Sequence, residues 1–598
     1  MQKLQKIIYP STDNCTEESL FFRRYGKVSY SLPDKCITMG EDASVEFDTY
    51  FNSFSAGKWN KYTNIGEIGL CIKLKGNFRI TLWYKEKQAT QILTRIVKEF
   101  YCDTEDEVKE ISCFYETEYN QGMYTFSITA LSDDSEFWGG YYFTEMASNK
   151  VKDVHIAIVI CTYKREKYVY KNSKMLCKEF LDNTTSELYE NLDVIIVDNA
   201  QSIDEKMLKN QKIHIINNKN TGGAGGFTRG MIESINISKQ KNISHVLLMD
   251  DDVVIQPESI FRTYVLLTLL KDEYLGAYVG GAMLRTDNQW FQTESGGIWN
   301  GGTLISNKCG LDLRVLDACL YNEVEETCEY NAWWYCTIPM QFIKKDNLPL
   351  PIFIRGDDVE YGLRNMKHLI LMNGICVWHE PFEFKYSSAM YYYIFRNRLI
   401  DNAIHNIPYS KKQFLHEFGQ WFKYEVFTLR YQNAWLLLDG INDFMKGIDF
   451  FIETDGEELN KKIMNRGYKL QYIDELPLRF SYGEYEKMLS FVEGKRNQFK
   501  RKLTLNGIFQ KADKIVCVPV QAPHIAYFYK TKQALNYDVS SRKGFVTYRS
   551  RREFFNLMKA YFLMIKNVNK DYKRIVRTYQ ERKKELMNIE FWNKYLNI

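Results

Sequence analysis

From Val154 onward, short apolar segments alternate with helical stretches, and this rhythm constrains the fold more than any other feature of the chain. The apolar segments are 156–160, 194–197, 213–216 and 246–249. Such alternation is typical of a mostly parallel α/β sheet, whose ligands bind at the carboxyl ends of its strands. The sequence therefore predicts an α/β domain with its site at one edge of the sheet.

Polar residues follow each of these four segments. Thr162 and Arg165 come after the first, Asp198 after the second, 217–223 after the third and 250–252 after the fourth. Because the carboxyl ends of parallel strands meet at one sheet edge, we expect these groups to converge on a single crevice.

The most acidic of these strand ends is Asp250-Asp251-Asp252. Successive side chains of a strand point to opposite faces, so Asp250 and Asp252 are expected to share one side. Their oxygen atoms suit Mg²⁺ or Mn²⁺, which can bridge a diphosphate and neutralise a departing nucleotide. An acidic loop or helix cap before Pro257 is the alternative. Three carboxylates at one sheet edge repel each other unless a cation offsets them, which favours metal binding.

His379 follows the apolar segment 370–378, far along the chain from the acidic cluster, so only the fold can join the two. A lone histidine is more often structural than metal-bound. Asp357 and Asp358 begin a predicted helix, where a carboxylate either caps the helix or deprotonates an acceptor hydroxyl. The residues alone leave both pairs of alternatives open.

Two further segments are candidates for ligand contact. Gly222 to Gly226 lies between a strand and a helix, where the backbone can approach a ligand and offer amides to phosphate or sugar oxygens. It matches neither GxGxxG nor GxxxxGK[ST], which excludes the dinucleotide-fold and P-loop interpretations. Trp333 and Trp334 offer aromatic faces to a sugar ring, although core packing explains Trp pairs more often.

The regions on either side differ from the centre. Residues 1–150 show short alternating segments typical of a β-sandwich of jelly-roll type, residues 151–400 carry the α/β pattern, and residues 401–598 are mainly helical. From Lys495 to Lys594 there are 24 Lys and Arg against 7 Asp and Glu, which predicts attraction to an anionic membrane surface. No nucleic-acid motif accompanies this charge, so a nucleic-acid partner is not expected.

The beginning of the chain lacks the features of a signal peptide, and no segment approaches the length of a membrane-spanning helix. We therefore expect a cytoplasmic protein, with peripheral attachment to the inner face of the cell membrane as a further option. The thirteen cysteines include no CxxC pair and lie in apolar contexts, which predicts reduced thiols rather than disulfides or a zinc site.

Taken in order, seven motifs resemble glycosyltransferase family 2, and more narrowly the galactofuranosyltransferases that build galactan from UDP-galactofuranose. These motifs are Val159–Arg165, Val197–Asn199, Asn218–Gly226, Met249–Asp252, Trp333-Trp334, Asp357-Asp358 and Trp378–Glu380. The resemblance is strong over 154–400. It implies a GT-A core, with an N-terminal β-sandwich and C-terminal helices that fit the rest of the chain.

The resemblance also implies roles for individual residues. Asp250, Asp252 and His379 would bind Mn²⁺ or Mg²⁺, and Asp358 would be the general base of an inverting single displacement. The donor nucleotide would contact Thr162, Arg165, Asp198, Gly222, Gly223 and Asp251. The sugar and the acceptor would contact Glu294, Trp333, Trp334 and Asp357.

The expected partners are a UDP-sugar donor, a glycan or lipid-linked glycan acceptor and, by analogy with the family, a second copy of the chain. Gly356 stands where the galactan polymerases are expected to carry an aromatic residue, so the acceptor and the number of sugars added stay open. Another donor, such as a rhamnosyl or galactopyranosyl nucleotide, is one alternative. A non-catalytic carbohydrate-binding protein is the other.

Overall fold

The computed structural model describes residues 1–105, 107–115, 121–145, 151–300, 302–382 and 385–598. The predicted boundary at residue 150 lies outside these described residues, and the division into three domains stays a prediction. Among the described residues, no helix combines the length and apolar character that crossing a membrane requires.

Between residues 2 and 144, the described residues form two antiparallel sheets and a short helix. In chain order the elements are β1 (Gln2–Lys6), β2 (Arg23–Tyr25), β3 (Val28–Ser31), β4 (Cys36–Met39), β5 (Ser44–Glu46), α1 (Ala56–Tyr62), β6 (Ile68–Lys75), β7 (Asn77–Gln88), β8 (Gln91–Asp103), β9 (Lys109–Phe114), β10 (Met123–Ala130) and β11 (Ser135–Thr144). One sheet has the order β3-β4-β11-β6-β9, with β1 also paired to β11, and the other has the order β2-β5-β10-β7-β8.

Aromatic side chains from the two sheets contact each other. Phe126 of β10 lies 6.2 Å from Phe137 of β11 between ring centroids, and Tyr142 of β11 lies 6.3 Å from Phe126. These rings are almost fully buried, because alternate residues of each strand turn toward the opposite sheet. Contact between two apolar faces is what the β-sandwich interpretation requires, and its jelly-roll connectivity stays a prediction.

The central region begins at Ile156 and alternates strands with helices, as its sequence pattern predicts. Its elements are β12 (Ile156–Thr162), α2 (Glu166–Leu176), β13 (Leu192–Asp198), β14 (Ile213–Asn217), α3 (Gly222–Lys241), β15 (His245–Asp250), β16 (Val254–Ile255), α4 (Pro257–Leu269), β17 (Tyr278–Gly280), β18 (Ala282–Arg285), β19 (Phe291–Glu294), β20 (Gly297–Asn300), β21 (Thr303–Ser306), β22 (Leu311–Asp312), α5 (Leu316–Glu323), β23 (Tyr335–Pro339), α6 (Asp357–Asn365), β24 (Leu369–Ile370) and β25 (Cys376–His379).

A seven-stranded sheet with the order β14-β13-β12-β15-β23-β17-β24 organises this region. Strands β12 to β15 are parallel, as predicted, whereas β23 runs antiparallel to both of its neighbours. Because β12 to β15 point the same way, their polar carboxyl ends lie at one edge. A smaller sheet, β16-β25-β18-β19-β22, extends from that edge.

The remaining residues, from Met390 onward, form helices and one sheet. The elements are α7 (Met390–Ile404), α8 (Lys411–Phe427), α9 (Tyr431–Phe444), α10 (Asp449–Glu453), α11 (Gly456–Arg466), β26 (Gln471–Tyr472), α12 (Tyr482–Leu489), α13 (Lys495–Leu503), β27 (Lys514–Pro519), β28 (Thr531–Asp538), β29 (Lys543–Tyr548), α14 (Arg551–Arg582) and α15 (Ile589–Leu596). The four-stranded sheet β26-β29-β28-β27 was not expected inside a region with a mainly helical pattern.

The last helix, α15, packs on the central region. Trp592 is fully buried, and its Nε1 donates to the Pro349 carbonyl at 3.0 Å. The backbone N–H of Leu348 donates to Met587 at 2.8 Å, and that of Ile589 donates to Lys345 at 2.7 Å. The residues at the end of α15 and just after it, 596–598, line the same cavity as Asn199 and Asn217 at the polar strand ends.

Candidate active site

Strand pairing explains how Asp252 and His379 meet across a long stretch of sequence. Strand β15 ends at Asp250, and after three residues the chain enters the next strand, β16. Strand β16 pairs antiparallel with β25, with Val254 opposite Trp378. Because antiparallel partners run in opposite directions, the residues preceding Val254 face those following Trp378. His379 is therefore brought beside the acidic turn.

Asp250, Asp252 and His379 each offer one ligand atom, and these three atoms lie within 4.8 Å of one another. His379 Nδ1 lies 2.6 Å from the Glu380 carbonyl, and a hydrogen bond there fixes the proton on Nδ1. In the neutral ring, Nε2 then carries the lone pair that a metal ligand needs. Two carboxylates and one imidazole therefore fit Mn²⁺ or Mg²⁺.

Two cationic side chains contact the same turn. Arg165 Nη1 lies 2.8 Å from Asp252 Oδ2, and Lys385 Nζ lies 2.7 Å from the same oxygen and 3.3 Å from His379 Nε2. Burial alone would raise the pKa of Asp252, but the His379 contact and these charges outweigh it and lower that pKa. Burial and the nearby Asp252 charge raise the pKa of Asp250 to about 6.

Asp251 is not part of the group of metal-ligand candidates. It links Thr162 and Arg165, two residues predicted to contact the donor nucleotide. Its carboxylate accepts hydrogen bonds from Thr162 Oγ1 at 2.7 Å and from Arg165 Nη1 at 2.9 Å. Asn172 donates to the Asp251 carbonyl at 3.0 Å. Asp251 is only 4% exposed, so in this structure it anchors Thr162 and Arg165 at the sheet edge.

Asp198 is fully buried, and its carboxylate is used by the loop that follows it. It accepts hydrogen bonds from the backbone N–H groups of Ala200 at 2.9 Å, Ser202 at 2.6 Å and Ile203 at 2.7 Å. Its predicted contact with a nucleotide stays a prediction. The contacts observed here show Asp198 shaping the loop beside the crevice.

The glycine segment, residues 222–226, and the nearby Gly230 have two separate structural roles. Side chains added at Gly226 and Gly230 would lie 2.1 Å from Cys161 Sγ and Val159 Cγ1, so these glycines let α3 pack closely on β12. A Cβ at Gly223, by contrast, would have nothing within 4 Å. Gly223 and Gly222 stand at the start of the 20-residue helix α3, whose N-terminus carries partial positive charge.

A cavity of about 410 Å³ lies beside the ends of β12, β13 and β14. This size falls within the range of small-molecule pockets. The lining is rich in amide side chains, each of which can both donate and accept hydrogen bonds. The lining residues are Tyr163, Lys164, Asn199, Ala200, Gln201, Asn217, Asn218, Lys219, Asn220, Glu457, Leu596, Asn597 and Ile598.

Asp357 and Asp358 open helix α6, as predicted. Asp357 is 8% exposed, whereas Asp358 is partly exposed and its Oδ1 accepts a hydrogen bond from the Val359 backbone at 2.8 Å. Burial raises the pKa of Asp358 to about 7, and the Glu294 and Asp250 charges add to this effect while the Val359 bond and Arg355 oppose it. The carboxyl is therefore poised to exchange a proton near neutral pH.

The segment before Asp357 has an unusual backbone. Phe353, Arg355 and Gly356 have φ values of 76°, 65° and 93°. For residues with a side chain, such left-handed conformations each cost of order 1–3 kcal/mol and are frequent at functional sites. The surrounding structure must therefore hold this strained segment, 353–356, in place.

Glu294, Trp333 and Trp334 are all buried. Glu294 accepts hydrogen bonds from Tyr330 Oη at 2.9 Å and from Ser306 Oγ. Trp333 and Trp334 are each 5% exposed, and Trp334 Nε1 donates to the Gly281 carbonyl at 3.0 Å. Core packing describes the observed contacts of both indoles, and their contact with an acceptor stays a prediction.

Sequence reasoning missed several residues that the structure brings into the site. Lys385 contacts Asp252 and His379, and Tyr330 orients Glu294. Neither belongs to a recognisable motif: Lys385 follows His379 by six residues in a segment without periodicity. Only the fold reveals these contacts, because Lys385 is far from Asp252 in the sequence and Tyr330 is far from Glu294.

Two family models and two curated relatives match parts of this chain. Residues 4–142 match the family described as Galactofuranosyltransferase 2 N-terminal, and residues 157–311 match Glycosyl transferase family 2. Two curated relatives are both called Galactofuranosyltransferase GlfT2. The one from Mycolicibacterium smegmatis is 25% identical over 62% of this chain and 59% of its own length, and the one from Mycobacterium tuberculosis is 25% identical over 62% and 60%.

The chain thus matches about three fifths of the length of each of these relatives. Among solved structures, a mannosyltransferase from Pyrobaculum calidifontis in complex with GDP-Man and Mn²⁺ is 9% identical. That match covers 50% of this chain and 77% of the other, with a TM-score of 0.27. The matched segments and their order show that the chain resembles glycosyltransferase family 2, and within it the galactofuranosyltransferases.

Proposed function

We propose that this chain is an inverting, metal-dependent glycosyltransferase that transfers galactofuranose from UDP-galactofuranose to a hydroxyl of a cell-surface glycan. One observation carries the proposal: Asp250, Asp252 and His379 lie together at the sheet edge where the glycine segment begins α3, and Asp358 is near enough to Asp250 for their charges to interact. This edge combines groups for a metal, a diphosphate and an acceptor proton within one crevice.

Asp250, Asp252 and His379 are the proposed ligands of Mn²⁺ or Mg²⁺. When bound, the ion would supply positive charge beside the diphosphate leaving group. Arg165 and Lys385 contact this turn but offset only part of the charge of its three carboxylates, so a further cation is favoured there. The Glu380 carbonyl holds His379 in the tautomer that leaves Nε2 available.

The donor nucleotide is proposed to lie across the ends of β12, β13 and β14. Thr162, Arg165 and Asp251 are joined by hydrogen bonds there, and the amide-rich cavity next to them has room for a nucleoside. The start of α3 at Gly222 and Gly223 is open to a phosphate, because Gly223 has no neighbour where a Cβ would stand. Asp198 supports the loop that lines this cavity.

Asp358 is proposed as the general base. Its carboxylate takes the proton of the acceptor hydroxyl while the hydroxyl oxygen forms a bond to the anomeric carbon. The bond between that carbon and the UDP oxygen breaks at the same time, and its electron pair leaves with UDP. Attack opposite the leaving group inverts the anomeric centre. Partial exposure of Asp358 and a pKa of about 7 suit this role better than the deeper burial of Asp357.

Glu294, Asp357, Trp333 and Trp334 are proposed to border the sugar and acceptor. The Tyr330 contact and the burial of Glu294 hold its carboxyl in one orientation. The two indoles shape the wall through packing rather than through an exposed face.

The deciding experiment measures UDP release from UDP-galactofuranose with Mn²⁺ or Mg²⁺, with and without a galactofuranoside acceptor. Asp358→Asn should lower turnover about a hundredfold or more and leave UDP binding within about twofold. Asp272→Asn, which alters a highly exposed carboxylate far from the site, serves as the matched control. Full turnover in Asp358→Asn would remove the base assignment.

The same assay separates the alternatives. Release from a rhamnosyl or galactopyranosyl nucleotide, with none from UDP-galactofuranose, would replace the proposed donor. If no donor gives nucleotide release but a galactofuranoside binds saturably, the result would favour a carbohydrate-binding protein.

We also propose that an anionic membrane surface is a partner, as a lipid-linked acceptor requires. Helix α13 exposes Phe499 at 68% and Leu503 at 74% beside Lys500 and Lys502, the combination that membrane-surface helices use. Cosedimentation with phosphatidylglycerol vesicles at low salt tests this surface, and binding only to neutral vesicles would contradict it. A homo-oligomer is proposed by analogy alone and is tested by analytical ultracentrifugation.

A further inference from the structure

Helix α7 holds the strained segment 353–356 in place through hydrogen bonds. Asn397 of α7 is 2% exposed, and its Nδ2 donates to the carbonyls of Ile354 and Arg355, each at 2.7 Å. Its Oδ1 accepts a hydrogen bond from Arg396 Nε at 2.8 Å, which fixes the orientation of the amide. One buried side chain thus uses both of its N–H groups on two consecutive carbonyls of the strained segment.

The two preceding carbonyls also have partners outside the segment. Arg396 Nη2 donates to the Ile352 carbonyl at 2.6 Å. The backbone N–H of Ala224, in the glycine segment at the start of α3, donates to the Phe353 carbonyl at 3.1 Å. A Cβ at Gly222 would lie 2.1 Å from that carbonyl oxygen, so glycine is required there for the approach. The strained segment therefore touches the donor side at one end and α7 at the other.

Asp401, one turn along α7, fills the space beside Gly356. A Cβ at Gly356 would lie 2.6 Å from Asp401 Oδ2, and φ is 93° at this glycine. Asp401 is 1% exposed. The close approach of α7 leaves no room for a side chain at position 356, where the galactan polymerases are expected to carry an aromatic residue.

We propose that Asn397 is a positioning residue for the reaction. Its paired amide hydrogen bonds hold the left-handed backbone that directs Asp357 and Asp358 into the site. This inference rests on the proposed glycosyl transfer. It adds a residue that belongs to none of the sequence motifs and touches neither donor nor acceptor, because Asn397 acts through the backbone of Ile354 and Arg355.

The test compares Asn397→Ala with Asn536→Ala. Asn536 is a suitable control because it is also fully buried, and its Oδ1 also accepts a hydrogen bond from an arginine Nε, that of Arg430 at 3.0 Å. Asn397→Ala should lower kcat about tenfold to a hundredfold, since small misplacement of a reacting group has effects of this size. KM for the donor should stay within about twofold, and Asn536→Ala should leave kcat within about twofold.

A pH profile of kcat separates positioning from general damage. In the wild-type protein, burial raises the pKa of Asp358, which faces Arg355, Glu294 and Asp250. Relaxation of the segment in Asn397→Ala should hydrate this carboxyl, lower its pKa and move the acidic limb of the profile to lower pH. An unmoved profile with kcat equal to that of Asn536→Ala would overturn the proposal.

Two measurements keep the proposal testable under other outcomes. If Asn397→Ala does not fold, Asn397→Asp replaces it, since the carboxylate keeps the shape and the Arg396 contact but donates nothing. The same loss of kcat is expected, and unchanged kcat overturns the proposal. If the wild type shows no transfer at all, the proposed function fails separately. Faster amide hydrogen exchange at 354–359 in Asn397→Ala than in Asn536→Ala then still supports the holding role, and equal exchange contradicts it.

Discussion

The seven-stranded sheet carries carboxylates both at the amino ends of its parallel strands, the amino edge, and at their carboxyl ends, the carboxyl edge, and the two surroundings are opposite. At the amino edge, Asp193 accepts hydrogen bonds from His155 Nε2 at 2.7 Å, His214 Nε2 at 2.8 Å and Lys241 Nζ at 2.6 Å. One carboxylate is thus surrounded by three donors. Burial alone would raise its pKa, but these contacts outweigh burial and lower it.

At the carboxyl edge, carboxylates outnumber the cations beside them. Asp250, Asp251 and Asp252 lie in one turn with Arg165 and Lys385. Burial raises the pKa of Asp250, which shows that its charged form is disfavoured in the protein alone. The amino edge is balanced internally, whereas the carboxyl edge gains from a further cation. Charge balance thus distinguishes a structural cluster from a candidate site on the same sheet.

Removal of one carboxylate from the carboxyl edge should have the largest effect. Asp252→Ala is expected to lower metal-dependent UDP release about a thousandfold, because several kcal/mol of charge stabilisation are lost. Without metal, its thermal midpoint should be somewhat lower than that of the wild type, because Arg165 and Lys385 lose the Asp252 carboxylate that they contact. Persistent metal-dependent release in this variant would show that the turn is not the metal site.

The equivalent change at the amino edge should act on stability instead. Asp193→Asn leaves His155, His214 and Lys241 without their acceptor charge. We expect the opening free energy of β12 to β14 to fall by about 3 kcal/mol, the usual cost of breaking a buried ion pair. Amide hydrogen exchange in these strands measures this opening free energy.

The exposed Asp153, near the same edge, provides the control variant Asp153→Asn. Activity of folded Asp193→Asn should equal that of the wild type. A large loss of kcat without loss of protection would break the distinction between the edges.

The two edges should also respond differently to pH and metal. Mn²⁺ at about a hundred times its dissociation constant should stabilise the wild type by about 2.7 kcal/mol at pH 7.5. Because burial raises the pKa of Asp250 to about 6, protons compete with the ion at pH 5 and the shift should shrink.

The pKa shift of Asp193 on folding has the opposite sign to that of Asp250. Its pKa is lowered on folding, so its contribution is complete above the unfolded value of about 3.9 and is lost only as pH falls through the folded one. Thermal scans with and without Mn²⁺ at both pH values measure these effects. An equal metal shift at pH 5 and pH 7.5 would contradict the expected competition.

Sequence reasoning found the carboxyl edge because its signal is local. Each polar group there follows an apolar strand, and parallel strands bring their ends together whatever the side-chain detail. The four strands β12 to β15 were predicted to within two residues at each end. The meeting of Asp252 with His379 rests instead on the pairing of β16, only two residues long, with β25, and so short a strand has no readable pattern.

Features that depend on tertiary contacts could not be predicted from the sequence. Asn397 holds the strained segment through backbone carbonyls, and any sequence can supply those. Trp333 and Trp334 look alike in the sequence but pack in different hydrophobic clusters, because adjacent residues point to opposite sides. The sheet of β26 to β29 was missed because helices α12 and α13 separate β26 from β27 and gave the region a helical pattern, although β28 and β29 are joined by only four residues.

The smallest predicted effect concerns Lys241. Its side chain is 38% exposed, so solvent screens its attraction to Asp193, and two histidines remain as donors when it is replaced. Lys241→Met should therefore lower the opening free energy of β13 by less than about 1 kcal/mol and leave turnover unchanged. Because salt screens exposed charges, this difference should shrink further in 1 M NaCl. A loss as large as that of Asp193→Asn would mean that the lysine, rather than the paired histidines, balances the amino edge.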